Sequence, residues 1–236
     1  MADIDAANQS TREINRAIRR AIADGVPEIT VLNSGARHNL AVAVLESTRI
    51  RIAGSAGYYC GGLNGGASIE IDGSAGWGLA ESMLTGTVRV HGNAGSGSAA
   101  ALRGGTVVIH GDAAARLGVS MKGGLVIVGG NCGYMAGFMA QKGTLIVCGD
   151  AGSAFADSMY ATVCYVGGEI SDLGTDAVLG TMEAGETDRL EETLSSHLPA
   201  DLRKTKPPAA NFKKVVSGRK LWNFDKREWR IWQEAL

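Results

Sequence analysis

Asp72, His91 and His110 stand nineteen residues apart in turn, each immediately before a glycine. A carboxylate and two imidazoles are a legitimate ligand set for a divalent transition metal, and the same groups could relay a proton if the fold set them side by side. Parity supplies the other reading. The column shares the phase of Arg51 and Glu70, so it should face outward at strand ends, where a solvated, hydrogen-bonded ladder is ordinary. Which of the two holds depends on the elements that carry the three residues.

Those elements repeat. Glycine recurs at 54, 73, 92, 111, 130, 149 and 168, always nineteen residues on. Three residues later stand Gly57, Gly76, Gly95, Ala114, Gly133 and Gly152, and seven later Gly61, Ala80, Ala99, Gly118, Gly137 and Ala156. Four before each anchor lie Ile50, Ile69, Val88, Val107, Val126, Leu145 and Cys164, and two before lie Ile52, Ile71, Val90, Ile109, Val128, Val147 and Val166. Such alternation is that of a strand with one face in a core. Arg51, Glu70 and Arg89, on the other face, would be neighbours about 4.8 Å apart on parallel strands, alternating in charge.

One strand and a set of turns cannot bury its own apolar face, so coils must stack around a shared interior. The fold class expected is all-β, a right-handed parallel β-helix of about seven coils of nineteen residues. A left-handed hexapeptide helix repeats in eighteen, which this period does not match. Gly35 marks an earlier, irregular rung, with Val31 in phase but Asn33 where an aliphatic residue is later the rule.

The ends differ from the middle. Ser10 and Glu13 form a capping-box pattern before an apolar stripe, Ile14, Ala17, Ile18, Ala21 and Ile22, that stops at Gly25 and Pro27, so residues 1–28 read as a capping helix. The β-helix domain spans 29–185. Residues 186–236 hold a second helix near Thr187–His197 and, after Pro199, Pro207 and Pro208, an extended tail. From Arg203 to Arg230 ten Lys or Arg face two acids, and Arg219, Trp222, Trp229 and Trp232 make the tail basic and aromatic. Single-stranded nucleic acid could stack there, but Trp and Arg are equally the anchors of protein interfaces. With apolar columns ending near Val166, removing 205–236 is expected to leave the β-helix folded and to abolish subunit association.

Composition bounds the function. With 236 residues, 45% of them apolar, and a net charge of -1, disorder and general binding to nucleic acid or acidic membranes are disfavoured. No secretory h-region or long apolar span is present, so the expected setting is cytoplasmic. The four cysteines, Cys60, Cys132, Cys148 and Cys164, lack metal-ligand spacing. Gly95 to Ala100 matches a G-x-G-x-x-A dinucleotide pattern, but its glycines belong to the repeat. Arg37 and His38, in the irregular rung, could meet an anionic substrate or a partner's cofactor, or satisfy loop and interface hydrogen bonds. Tyr58, Trp77 and Tyr134 share the position four after the anchor and could form a docking stripe or stack within the coils.

The motif G-x-x-G-x-x-x-G, complete at Gly54, Gly57, Gly61 and at Gly130, Gly133, Gly137, resembles the GXGXG β-helix that ends the large chain of glutamate synthase, over about Ile29 to Leu173. As a separate polypeptide, with strings such as Gly57-Tyr58-Tyr59-Cys60, Gly76-Trp77-Gly78-Leu79-Ala80-Glu81, Ser120-Met121-Lys122-Gly123, Cys148-Gly149-Asp150-Ala151-Gly152 and Ser217-Gly218-Arg219-Lys220-Leu221-Trp222-Asn223-Phe224, it is similar to the B-subunit family of N-methylglutamate synthases, the methylamine-glutamate N-methyltransferases. The resemblance implies a hetero-oligomer with a class II amidotransferase-like subunit and an FMN-binding glutamate-synthase-like subunit. FMN and any iron-sulfur cluster would belong to the partner. It carries no catalytic, cofactor or metal residue onto this chain, leaving a scaffold role. A module of an ordinary glutamate synthase or of formylmethanofuran dehydrogenase shares the motif, and a free-standing β-helix enzyme working through Asp72, His91 and His110 is the alternative of a different class.

Overall fold

Alternating aliphatic residues at a fixed nineteen-residue interval can satisfy both their backbone and their side chains only by pairing with the next copy of themselves, and this is what the chain does. The computed structural model describes residues 1–198 and 208–218. In chain order the elements are β1 (Ala2–Asp5), α1 (Thr11–Ala23), β2 (Glu28–Leu32), β3 (Arg49–Ile52), β4 (Gly65–Ile71), β5 (Thr85–Val90) and β6 (Thr106–Ile109). There follow β7 (Lys122–Val128), β8 (Lys142–Val147), β9 (Ala161–Val166), β10 (Ala177–Gly180), α2 (Glu186–His197), a 3-10 turn at Ala209–Asn211 and β11 (Lys213–Ser217). Strands β1 to β9 lie in sequence order as one parallel sheet, each coil adding a strand, for about seven turns.

Register follows the repeat: Ile50 pairs with Ile69, Ile69 with Val88 and Val88 with Val107, and so on up to Cys164. Both expected inward columns are buried. Beyond the corner at each anchor glycine a second line of parallel bridges runs through Ala56, Ala75, Ala94, Ala113, Cys132, Ala151 and Ile170. The coil then closes through an arch in which left-handed residues alternate: Tyr59, Gly61 and Leu63 in one coil, Gly78, Ala80 and Ser82 in the next, Arg116, Gly118 and Ser120 further up. Their amides donate alternately to the coil above and the coil below, Tyr59 to Trp77 O and Gly61 to Leu40 O. Interstrand bonding thus continues around the arch, which offsets a left-handed penalty of about 1–2 kcal/mol per non-glycine residue.

At the first end, the capping box forms as expected, with Glu13 N donating to Ser10 Oγ and Ser10 N to Glu13 Oε2. Ile14 and Ile18 enter the solenoid core, and Asn15 accepts from Ala41 N and donates to Asn39 O, so α1 seats on the entry rung. The region holds more than a helix: β1 precedes it and extends the sheet, pairing in parallel with β2. Four residues of alternation gave too short a pattern to read. Asn33 breaks the inward column by turning left-handed, and its amide donates to Asp5 Oδ1.

At the other end, β11 inserts antiparallel between β9 and β10. Its Val215 is fully buried in the solenoid core. A cut at 205 would therefore strip an internal strand, which corrects the expectation that the β-helix stays whole when 205–236 are removed. Helix α2 lies on the outside of the sheet. There Val108, Ile127, Ile146 and Tyr165 continue the column that began as Arg51, Glu70 and Arg89, and they bury against Leu190, Leu194, Leu198 and Phe212 as a second core. Among the described residues, no helix is long and apolar enough to cross a membrane.

Candidate functional site

Strands β3 to β6 do bring Asp72, His91 and His110 onto successive coils, with the two imidazole centroids 4.7 Å apart, edge to face. Each is engaged from the coil before it, along a diagonal of the sheet. Arg51 Nε donates to both oxygens of Asp72 at 3.1 Å, Glu70 Oε1 lies 2.6 Å from His91 Nε2, and Arg89 donates to His110 Nε2 at 3.1 Å. Arginine has only donors, so Nε2 of His110 accepts, which puts the ring proton on Nδ1. The charges of Arg51, Glu70 and Arg89 are register partners as expected, yet their bonds run diagonally. In a parallel sheet the slanted geometry lets a long side chain reach the residue two beyond its opposite number.

The top of this column is not solvated as parity alone implied. His110 is only 7% exposed, because the end of α2 lies over it and Arg89 donates from the same guanidinium to His197 O at 2.5 Å. A cation on the last carbonyls of a helix is favourable. Burial, then the charge of Arg89, holds the His197 imidazole below its usual value. Among the described residues no group of three or more His, Cys, Asp or Glu is placed to hold a metal ion.

The aromatic column divides. Tyr58 and Trp77 stack at 5.3 Å with planes 11° apart, and His38 stacks beneath Tyr58 at 4.3 Å while its Nδ1 accepts from Tyr58 N. All three are exposed. Tyr134, exposed too, stands three coils above Trp77, with Ser96 and Ala115 between. Tyr58 and Trp77 therefore stack between successive coils while facing solvent, and Tyr134 does not join them. Arg37 is tied down: its guanidinium donates to Asn33 O, Ser34 O and Ala7 O, holding the chain after β1 to the entry rung. Arg219, Trp222, Trp229 and Trp232 lie outside the described residues.

Two features escaped the sequence reading. The position after each anchor glycine is polar throughout, Ser55, Ser74, Asn93, Asp112, Asn131 and Asp150, and each side-chain oxygen accepts the backbone N–H nineteen residues on, at 2.7 to 3.1 Å. A Cβ at Gly111 would lie 2.1 Å from Asn93 Oδ1, and one at Gly130 2.1 Å from Asp112 Oδ1. The anchor glycines thus leave room for the oxygen of the coil beneath. The second feature is a buried ionic cluster. Lys214 Nζ donates to Glu186 at 2.9 Å and the Tyr165 hydroxyl donates to the same carboxylate. Burial alone would raise the Glu186 carboxyl, but the Glu183 N–H, Tyr165 and Lys214 bring it down to about 2. Burial first, then Glu186, pushes the Tyr165 phenol up.

Neither a protein-family model nor a curated protein matches the chain. What the fold and these surfaces define is a mostly parallel β-solenoid of about seven turns, with helices at both ends.

Proposed function

We propose that this solenoid is the scaffold subunit of a multi-subunit, glutamate-synthase-like flavoenzyme that makes N-methyl-L-glutamate from methylamine and L-glutamate. In this reading it holds an amidotransferase-like subunit and an FMN-binding subunit in register. The observation that carries the reading is the G-x-x-G-x-x-x-G motif, set in a solenoid whose coils keep the anchor-glycine phase from Gly54 to Gly168. The ion-paired and hydrogen-bonded candidates Asp72, His91 and His110 knit one coil to the next, which supports architecture over chemistry for this chain. A stiff stack fixes the distance and orientation between two bound active sites, so an amine handled at one can reach the other without escaping to water.

Affinity purification of the full tagged chain from its own cells tests this. Flavin absorbance with two stoichiometric partners, and methylamine-dependent formation of N-methylglutamate, are the expected results; a colourless lone protein overturns the reading. In the assembled complex, His91→Ala is expected to leave turnover within about twofold. A loss of ~100-fold, the scale of a missing acid-base group, would restore the proton-relay alternative.

A further inference from the structure

One exposed column of the solenoid is built against its own electrostatics. Eleven residues after successive anchors stand Leu84, Arg103, Lys122, Gln141 and Tyr160. Each amide donates to the coil beneath, Arg103 N to Met83 O, Lys122 N to Leu102 O and Tyr160 N to Ala140 O, so the column is a true stack. Lys142 joins it, because a register shift in the β7–β8 pair sets Lys122 directly opposite Lys142. All six residues are exposed.

Like charges directly opposite each other on neighbouring strands destabilise a sheet. Here three cations sit on three successive coils, whose backbones are about 4.8 Å apart. None of them has a carboxylate at ion-pair distance among the described residues, in contrast to Arg51 and Lys213, which do. Between residues 93 and 149 the sequence has Arg103, Arg116, Lys122 and Lys142 against a single carboxylate, Asp112, whose Oδ1 accepts from Asn131 N. The middle coils are therefore strongly basic on a chain whose net charge is -1.

The geometry points to an interaction surface for an acidic protein segment, laid along the coil axis over Arg103, Lys122 and Lys142 with Leu84 and Tyr160 as its apolar ends. Apolar and aromatic groups interleaved with cations fit a protein partner. A nucleic acid would need a broader basic field than three cations in one column provide. The surface is independent of the enzyme reading above and is tested without it.

The probe is a fluorescent oligoglutamate peptide of about fifteen residues, its binding to the full chain followed by anisotropy at low and at physiological salt, with single-stranded DNA of equal length as the counter-probe. Lys122→Glu places an anion between two cations. It is expected to weaken peptide binding about tenfold or more while raising the melting temperature by about 1–3 °C, a combination that misfolding cannot give. Lys142→Gln should weaken binding in the same direction by less. Undetectable binding to the unaltered chain, unchanged affinity in Lys122→Glu or a lowered melting temperature would each overturn the proposal. DNA binding that is tighter than the peptide's and is weakened by Lys122→Glu would replace the protein partner with a nucleic acid.

Discussion

At the scale of single residues, the anchor glycines are explained by an oxygen on another coil. Of the seven, only Gly54 has a left-handed φ, so the other six serve by leaving space. Gly111→Ala must displace the Asn93 side chain from the Asp112 N–H and crowd Gly92 O, and urea denaturation should show a loss on the order of 1–3 kcal/mol, the cost of a lost exposed hydrogen bond together with a backbone clash. Gly97→Ala, with open space around its Cβ at φ 69°, should cost only the left-handed penalty of about 1–2 kcal/mol. Combined with Asn93→Ala, the Gly111→Ala change should lose only the part of its effect that comes from Asn93 Oδ1, because its Cβ still meets Gly92 O at 2.9 Å. Fully additive losses would separate the glycine from the ladder.

At the scale of elements, the C-terminal segment is fastened by ionisation. The folded Glu186 carboxyl, at about 2, lies below its ordinary 4.5, so its contribution is full above pH 4.5 and is lost as pH falls toward 2. Melting temperatures of the unaltered chain and of Glu186→Gln should accordingly differ most near neutrality and converge in acid. A difference independent of pH would mean that packing alone holds α2. A cut at 205 exposes the β9 edge and should produce aggregation, read by light scattering.

Much of this level was legible in the sequence and some was not. Inward columns such as Ile52 to Val166 and the Ser10–Glu13 box are periodic or local signals, and they read through directly. The seat of α2 was written in the outward column, where Arg89 gives way to Val108, Ile127 and Ile146, but an apolar outer face names its cover only once a helix is placed on it. Strand β11 pairs with β9 and β10 pairs with β11, both outside the nineteen-residue phase, so no repeat could announce them. Of the site residues, the Asp72, His91 and His110 column was found by spacing. Its partners were not, because diagonal bonds need the slant of the sheet as well as its register.

At the scale of the molecule, each coil touches chiefly its neighbours, so the stack behaves as a one-dimensional array. Excising residues 55–73, one full period, joins Gly54 to Ser74 and returns every column to phase. The shortened chain should fold, with a circular dichroism signal per residue close to that of the parent. Excising one residue fewer puts every side chain above the cut on the wrong face and should give an insoluble product. Equal behaviour of the two would contradict the shared interior.

The side-chain ladder also has a direction. Every Ser, Asn or Asp oxygen belongs to the earlier coil and every N–H it receives to the later one, so a chain leaving the ribosome meets each acceptor already in position. Coils can be laid down in the order of synthesis on the foundation that α1 closes. The finish reverses that order: β10 is made before β11 but lies outside it, so β10 has no neighbour to pair with until residues 213–217 have been translated. Closing that edge thus waits for a segment made after α2.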